Sequence, residues 1–97
     1  MSTWISCTFI EQKCFTYGPN PVRDQLYIYL TEIAINKLDE LRFELRNLEG
    51  KLIREFYANG NGGITYIMDL DNVISGMYIL SLYGKGKRLQ SEKIIVQ

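Results

Sequence analysis

The chain has 97 residues, of which 46% are hydrophobic, with 11 basic and 11 acidic side chains and no histidine. One small domain with a modest core is the expectation. Zero net charge excludes the basic stripe of a general nucleic-acid binder and the polybasic patch of an electrostatic membrane binder. Without histidine the commonest general base and zinc ligand are missing, and two cysteines alone would need two carboxylates to complete a zinc site. Composition points to a non-enzymatic globular domain with no cofactor.

Residues 1–14 come first. Met1 to Ile10 lacks a basic n-region, and Glu11, Gln12 and Lys13 follow too soon for a signal peptide. No apolar run approaches the ~18 residues of a membrane span. Trp4, Ile5, Phe9 and Ile10 could form an extra edge strand; otherwise this stretch reads as the remnant of a linker. Cys7 and Cys14 fall on opposite faces of a continuous strand, which predicts two half-buried thiols rather than a disulfide.

Pro19-Asn20-Pro21 is strong punctuation: fixed φ on both sides of an Asn makes an extended entry and a turn. Asn20 is positioned to cap the entry to the first strand through its side chain. Gln25 to Leu30 then alternates, with Leu26, Ile28 and Leu30 on one face and Gln25, Tyr27 and Tyr29 on the other, as in a half-buried strand.

Leu38 to Tyr57 supports two readings. Leu38, Leu41, Leu45, Leu48 and Leu52 recur at helical steps, with Asn36 as N-cap and Gly50 as the C′ residue. The rival is a hairpin: Leu41, Phe43 and Leu45 alternate with Arg42, Glu44 and Arg46, and Asn47 to Gly50 supplies a turn with Gly50 suited to positive φ. Periodicity alone favours the helix slightly.

Asn59 to Gly63 is a Gly-rich loop without the helix a phosphate cradle needs. Ile64 to Leu70 is a strand of β-formers. Gly76 to Tyr83 is apolar on both faces, as a central strand should be. Gly84 to Lys87 is a tight hairpin turn, and Leu89 to Val96 is the last strand. Strands of this length joined by short turns predict an all-β chain, a small antiparallel β-sandwich.

Three landmarks carry a resemblance: Pro19-Asn20-Pro21-Val22-x-Asp24; Leu45-x-Asn47-Leu48-x-Gly50-Lys51-Leu52; and Asp69-Leu70-x-Asn72-Val73-x-Ser75-Gly76-Met77-Tyr78, followed by Lys93-Ile94-Ile95-Val96-Gln97. In this order the chain resembles, over Phe15 to Gln97, the C-terminal sorting domain of the Bacteroidetes type IX secretion system, the Por secretion tail. The resemblance implies an Ig-like sandwich of about seven strands over 15–97 and decides Leu41 to Tyr57 in favour of the hairpin. Each landmark also has a purely structural reading: Asp69 would accept backbone amides in the turn leading to Gly76, and Tyr78 would pack in the core.

What the family does is implied in turn. Its domain is non-catalytic: an outer-membrane translocon recognises it, and a sortase-like protease removes it. Passage through the periplasm to the cell surface or the medium follows. The implied recognition surface comprises the Pro19-Asn20-Pro21 turn with Asp24, the Asp69–Tyr78 turn and strand with Leu70 and Gly76, and the last strand around Lys93, Ile94, Ile95 and Val96. An exposed edge there would suit strand addition to a partner or an edge-strand homodimer. The short lead and missing signal peptide predict a fragment or a stand-alone relative. Two other classes remain. A secreted β-sandwich module for carbohydrate or protein adhesion would need several aromatics on one exposed face. An enzyme would have to rely on the Asp69/Asp71 pair, which lacks a nucleophile–base partner.

Overall fold

The computed structural model describes residues 14–30, 41–58, 65–84 and 86–97. Seven strands run through them: β1 (Phe15–Gly18), β2 (Gln25–Leu30), β3 (Leu41–Asn47), β4 (Leu52–Ala58), β5 (Thr65–Asp69), β6 (Gly76–Gly84) and β7 (Lys87–Val96). They form two antiparallel sheets, three-stranded in the order β1-β2-β5 and four-stranded in the order β4-β3-β6-β7. The chain is an all-β sandwich, as the landmarks implied. The expected connections at residues 31–40 and 59–63, and the N-terminal stretch 1–13 with its proposed edge strand, lie outside the described residues.

Alternation explains β2 fully. Leu26, Ile28 and Leu30 are completely buried, while Gln25, Tyr27 and Tyr29 face outward. In β3 the same rule buries Leu41, Phe43 and Leu45. The helical leucine stripe dissolves: Leu48 is 66% exposed and Leu52 38%. Asn47 decides the turn, because its Oδ1 accepts the N–H groups of Glu49 and Lys51, both at 2.9 Å. Gly50 sits at φ +88°, a conformation that favours glycine. A hairpin satisfies these groups locally and still buries the period-two set.

The core is stitched by rings from both sheets. Phe15 of β1 meets Phe43 of β3 edge-on at 5.1 Å; Phe43 lies 5.1 Å from Phe56 of β4, and Phe56 lies 5.5 Å from Tyr66 of β5. Such contacts add about 0.5–1.5 kcal/mol each beyond area burial. The ladder crosses from the β1 flank to the β5 flank, so the two sheets are held face to face along their width.

One expectation changes. Cys14 is fully buried and disulfide-bonded, not a thiol; the chain's other cysteine, Cys7, is outside the described residues. The opposite-face argument assumed a continuous strand through both cysteines, but β1 begins only at Phe15. In β7 the alternation slips. Leu82 pairs with Gln90 and Tyr83 with Arg88, leaving Leu89 as an extra residue, and both Leu89 and Gln90 are buried.

Candidate functional site

The register brings the three landmarks to one end of the sandwich. Gln25 at the start of β2 pairs with Asp69 at the end of β5; Gly76 at the start of β6 pairs with Val96 at the end of β7; Asn47 at the end of β3 pairs with Tyr78. The β1–β2 connection, the β3–β4 turn, the β5–β6 turn and the end of β7 therefore share this end. Segments far apart in sequence form one surface because antiparallel strands return there.

The Pro19-Asn20-Pro21 turn is fastened to β7. Gly18–Pro19 and Asn20–Pro21 are both cis. Asn20 accepts the Ile95 N–H at 3.0 Å and donates from Nδ2 to Lys93 O at 3.3 Å. Two residues on, buried Val22 donates its N–H to Ile95 O at 2.8 Å and accepts the Gln97 N–H at 2.8 Å, a parallel bridge to Val96. Asn20 thus serves β7 rather than the entry to the first strand: β7 is an edge strand with unmet backbone groups, and the turn lies along them. The outward edge near Lys93 to Gln97 is occupied by this chain, so it is not the open strand-addition site expected from the sequence.

Asp24 links the first landmark to the third, accepting the Leu70 N–H at its backbone oxygen at 2.8 Å. Asp69 caps its turn as expected, its Oδ1 accepting the Asp71 N–H at 3.0 Å. That bond gives the Asp69 side chain a turn-capping role. Leu70 is buried, and so is Tyr78, whose hydroxyl donates to Ile74 O. Ile94 and Val96 are also buried, whereas Lys93 and Ile95 face out. Gly50 closes the β3–β4 turn and accepts from Arg46 Nη1 at 2.8 Å.

Beside the turn lies an open concavity of about 360 Å³, lined by Pro19, Pro21, Arg23, Asp24, Tyr27 and Gln97 among others. Tyr27 and Tyr29 extend it along the outer face of the three-stranded sheet, with Ile67 exposed beside them. Tyr57 is exposed on the other sheet, and the remaining described tyrosines are partly or fully buried. Among the described residues, Tyr27 and Tyr29 are the large exposed aromatics of this face. Among the described residues no three acids or cysteines converge as a metal site, and no helix is long and apolar enough to cross a membrane.

Several residues that hold this end were not singled out by sequence. Arg54 of β4 donates from Nη2 to Asp71 O at 2.7 Å, from Nε to Asp69 O at 3.2 Å and from Nη1 to Ile53 O at 2.9 Å, tying the four-stranded sheet to the β5–β6 turn. Along the flank, Gln90 Oε1 accepts the N–H groups of Cys14 and Phe15 at 2.8 and 3.2 Å, while its Nε2 donates to Phe15 O and to Glu92 Oε2. A buried amide thereby substitutes for a neighbouring strand at the edge of β1. Tyr17 is half-buried nearby, and its phenol pKa is raised, first by burial and then by the Glu92 charge.

A family model, the secretion system C-terminal sorting domain, matches residues 17–97, most of the chain. No curated protein matches.

Proposed function

The chain belongs to the secretion system C-terminal sorting domain family, the type IX sorting domain of proteins bound for the cell surface or the medium, and from this premise we propose how it acts. The domain is the ligand of an outer-membrane translocon, which reads the end of the sandwich where the β1–β2 turn, the β5–β6 turn and the end of β7 meet. A sortase-like protease then removes it from its cargo. Recognition follows folding, because the surface exists only when residues separated by most of the sequence lie together.

The observation supporting this reading most directly is the fastening of Asn20 to Lys93 and Ile95. It joins the first and last landmarks into one surface beside the Pro19–Gln97 concavity. No step in the role requires catalysis, and none is assigned. The proposed partners are the translocon and the protease. Homodimerisation is not part of the proposal, since the β7 edge is filled near its end.

The test is a fusion with a signal peptide and a fluorescent protein ahead of residues 1–97, expressed in a Bacteroidetes host with a working type IX system and in a translocon-null strain. Surface or medium fluorescence lost in the null strain is expected. An Arg23→Glu, Tyr27→Ser double variant that keeps its β-sheet circular dichroism should accumulate in the periplasm. Equal export from both strains would overturn the sorting role, and full export of the double variant would overturn the recognition surface.

A further inference from the structure

The outer face of the four-stranded sheet carries a second concavity, of about 220 Å³, away from the concavity beside the β1–β2 turn. Its lining includes Arg46, Asn47, Ile79, Ser81, Tyr83 and Arg88. The floor is the outward row of β6, Ile79, Ser81 and Tyr83. Ser81 in this row is 6% exposed, and its oxygen lies 2.9 Å from that of Ser91 across the β6–β7 ladder.

The arginines around it are arranged by one acid. Glu44 of β3 is only 5% exposed although it points to the outer face. Its Oε1 accepts from Arg46 Nε at 2.9 Å, and its Oε2 lies 3.0 Å from Arg42 Nε. The second contact is an ion pair without hydrogen-bond alignment, since Arg42 Nε has no acceptor in line. Arg42 also lies over the Tyr83 ring, 4.9 Å from its centre. Arg46 Nη1 is held by Gly50 O at 2.8 Å, which fixes the guanidinium while Nη2 has no protein acceptor among the described residues. Arg88 stands across from Tyr83, is exposed, and has no acceptor among the described residues. With Glu44 shared by two arginines, the groove is lined by two cations and no acid.

A fixed guanidinium with spare donors suits an oxyanion. The floor refines this choice. Strand β6 is paired on both sides, to β3 and β7, so its backbone has no free edge for an extended peptide to add to. Recognition must come from side chains, and these are guanidiniums, an amide and hydroxyls beside the apolar Ile79 and Leu48, a mixture that suits a ligand with both hydroxyls and C–H faces. We infer that this groove binds the carboxylate of an acidic sugar unit, with Arg88 and Arg46 on the carboxylate and Ser81, Asn47 and Tyr83 on neighbouring hydroxyls.

The experiment is a titration of the full chain, followed by backbone-amide NMR, with oligogalacturonate, its methyl ester and polyglutamate as probes. Oligogalacturonate should shift amides of Arg46 to Gly50, Ile79 to Tyr83 and Arg88 to Ser91, with affinity falling as salt rises. Arg88→Glu, an exposed change that leaves the core intact, should weaken binding about tenfold or more, the scale of a lost charge-assisted contact. Thr16→Glu, an exposed change on β1 outside the groove, should leave it unchanged. No shifts with oligogalacturonate, equal binding of the methyl ester, or unchanged binding by Arg88→Glu would each overturn the site. Polyglutamate binding as tightly as oligogalacturonate would overturn the saccharide and assign an acidic peptide. Export is not read, so failure of the sorting role and failure of this site are distinguishable.

Discussion

Asn20 and Ile95 stand 75 residues apart, and the Ile95 N–H donates to Asn20 Oδ1 at 3.0 Å. The same side chain donates to Lys93 O, so one amide does for the edge of β7 what a neighbouring strand would do. The turn holding Asn20 is thereby both a loop and the cover of the last strand.

Asn20→Ala removes both bonds while Val22 keeps its bridge to β7. Solvent can replace the lost partners at this exposed position, so the cost is about 1 kcal/mol, read as a melting temperature about 4–8 °C lower. Amide exchange at Ile95 should accelerate. Unchanged exchange at Ile95 would show that Asn20 does not protect this edge.

Gln90→Leu should cost more than Asn20→Ala. Leucine fills similar space, but the Cys14 and Phe15 N–H groups lose their acceptor and Phe15 O loses a donor, and buried orphans are expensive. A loss of about 1–3 kcal/mol is expected, measured by urea denaturation, with Gln90→Glu as companion because it keeps the acceptor and loses the donor. A Gln90→Leu midpoint equal to wild type would refute the clamp.

These two residues mark the boundary of what sequence reveals. The β2, β3 and β6 patterns were legible because period-two burial is a local property of a strand. The β3–β4 hairpin was legible only through its landmark, since leucines at helical steps fit two periods at once and Asn47's turn-making bonds leave no trace in a hydropathy pattern. Strand β1, four residues long, is too short for periodicity. Gln90 was invisible because the extra residue at Leu89 shifts the alternation, turning a nominally solvent-facing polar residue inward. At the candidate site, the landmarks named separate segments, and their convergence at one end of the sandwich depends on strand register. Asn20 could be read as a turn residue, yet its partners lie on the other sheet. Glu44 illustrates the same limit: alternation places it on the outer face, and only the arginines lying across it bury it.

Tyr17 makes stability depend on pH at the alkaline end. Burial and Glu92 raise its folded-state pKa above the ordinary phenol value, so the unfolded chain releases this proton first. The stabilisation is complete below pH about 10 and declines as pH rises from there through the folded value. Urea midpoints for the wild-type chain should fall more steeply above pH about 10 than those for Tyr17→Phe, whose other tyrosines provide the baseline. Parallel curves would remove Tyr17 as the cause.

Arg54 joins the sheets where the candidate site lies. Its Nε and Nη2 reach Asp69 O and Asp71 O, on either side of buried Leu70, and the fork geometry of guanidinium is what allows one side chain to hold both. Lysine offers a compact charge instead of a planar fork. Arg54→Ala should therefore cost about 1–2 kcal/mol, discounted from the usual value of charge-assisted bonds because the side chain is partly exposed. Arg54→Lys should recover less than half of that loss. The sharper readout is local: exchange at the Val73 amide, which donates to Leu70 O within the same turn, should accelerate in both variants while amides of the β3–β6 ladder stay protected. If the whole sandwich loosened equally, Arg54 would be a general stabiliser rather than the fastening of this turn. If Arg54→Lys matched wild type, the fork would not matter.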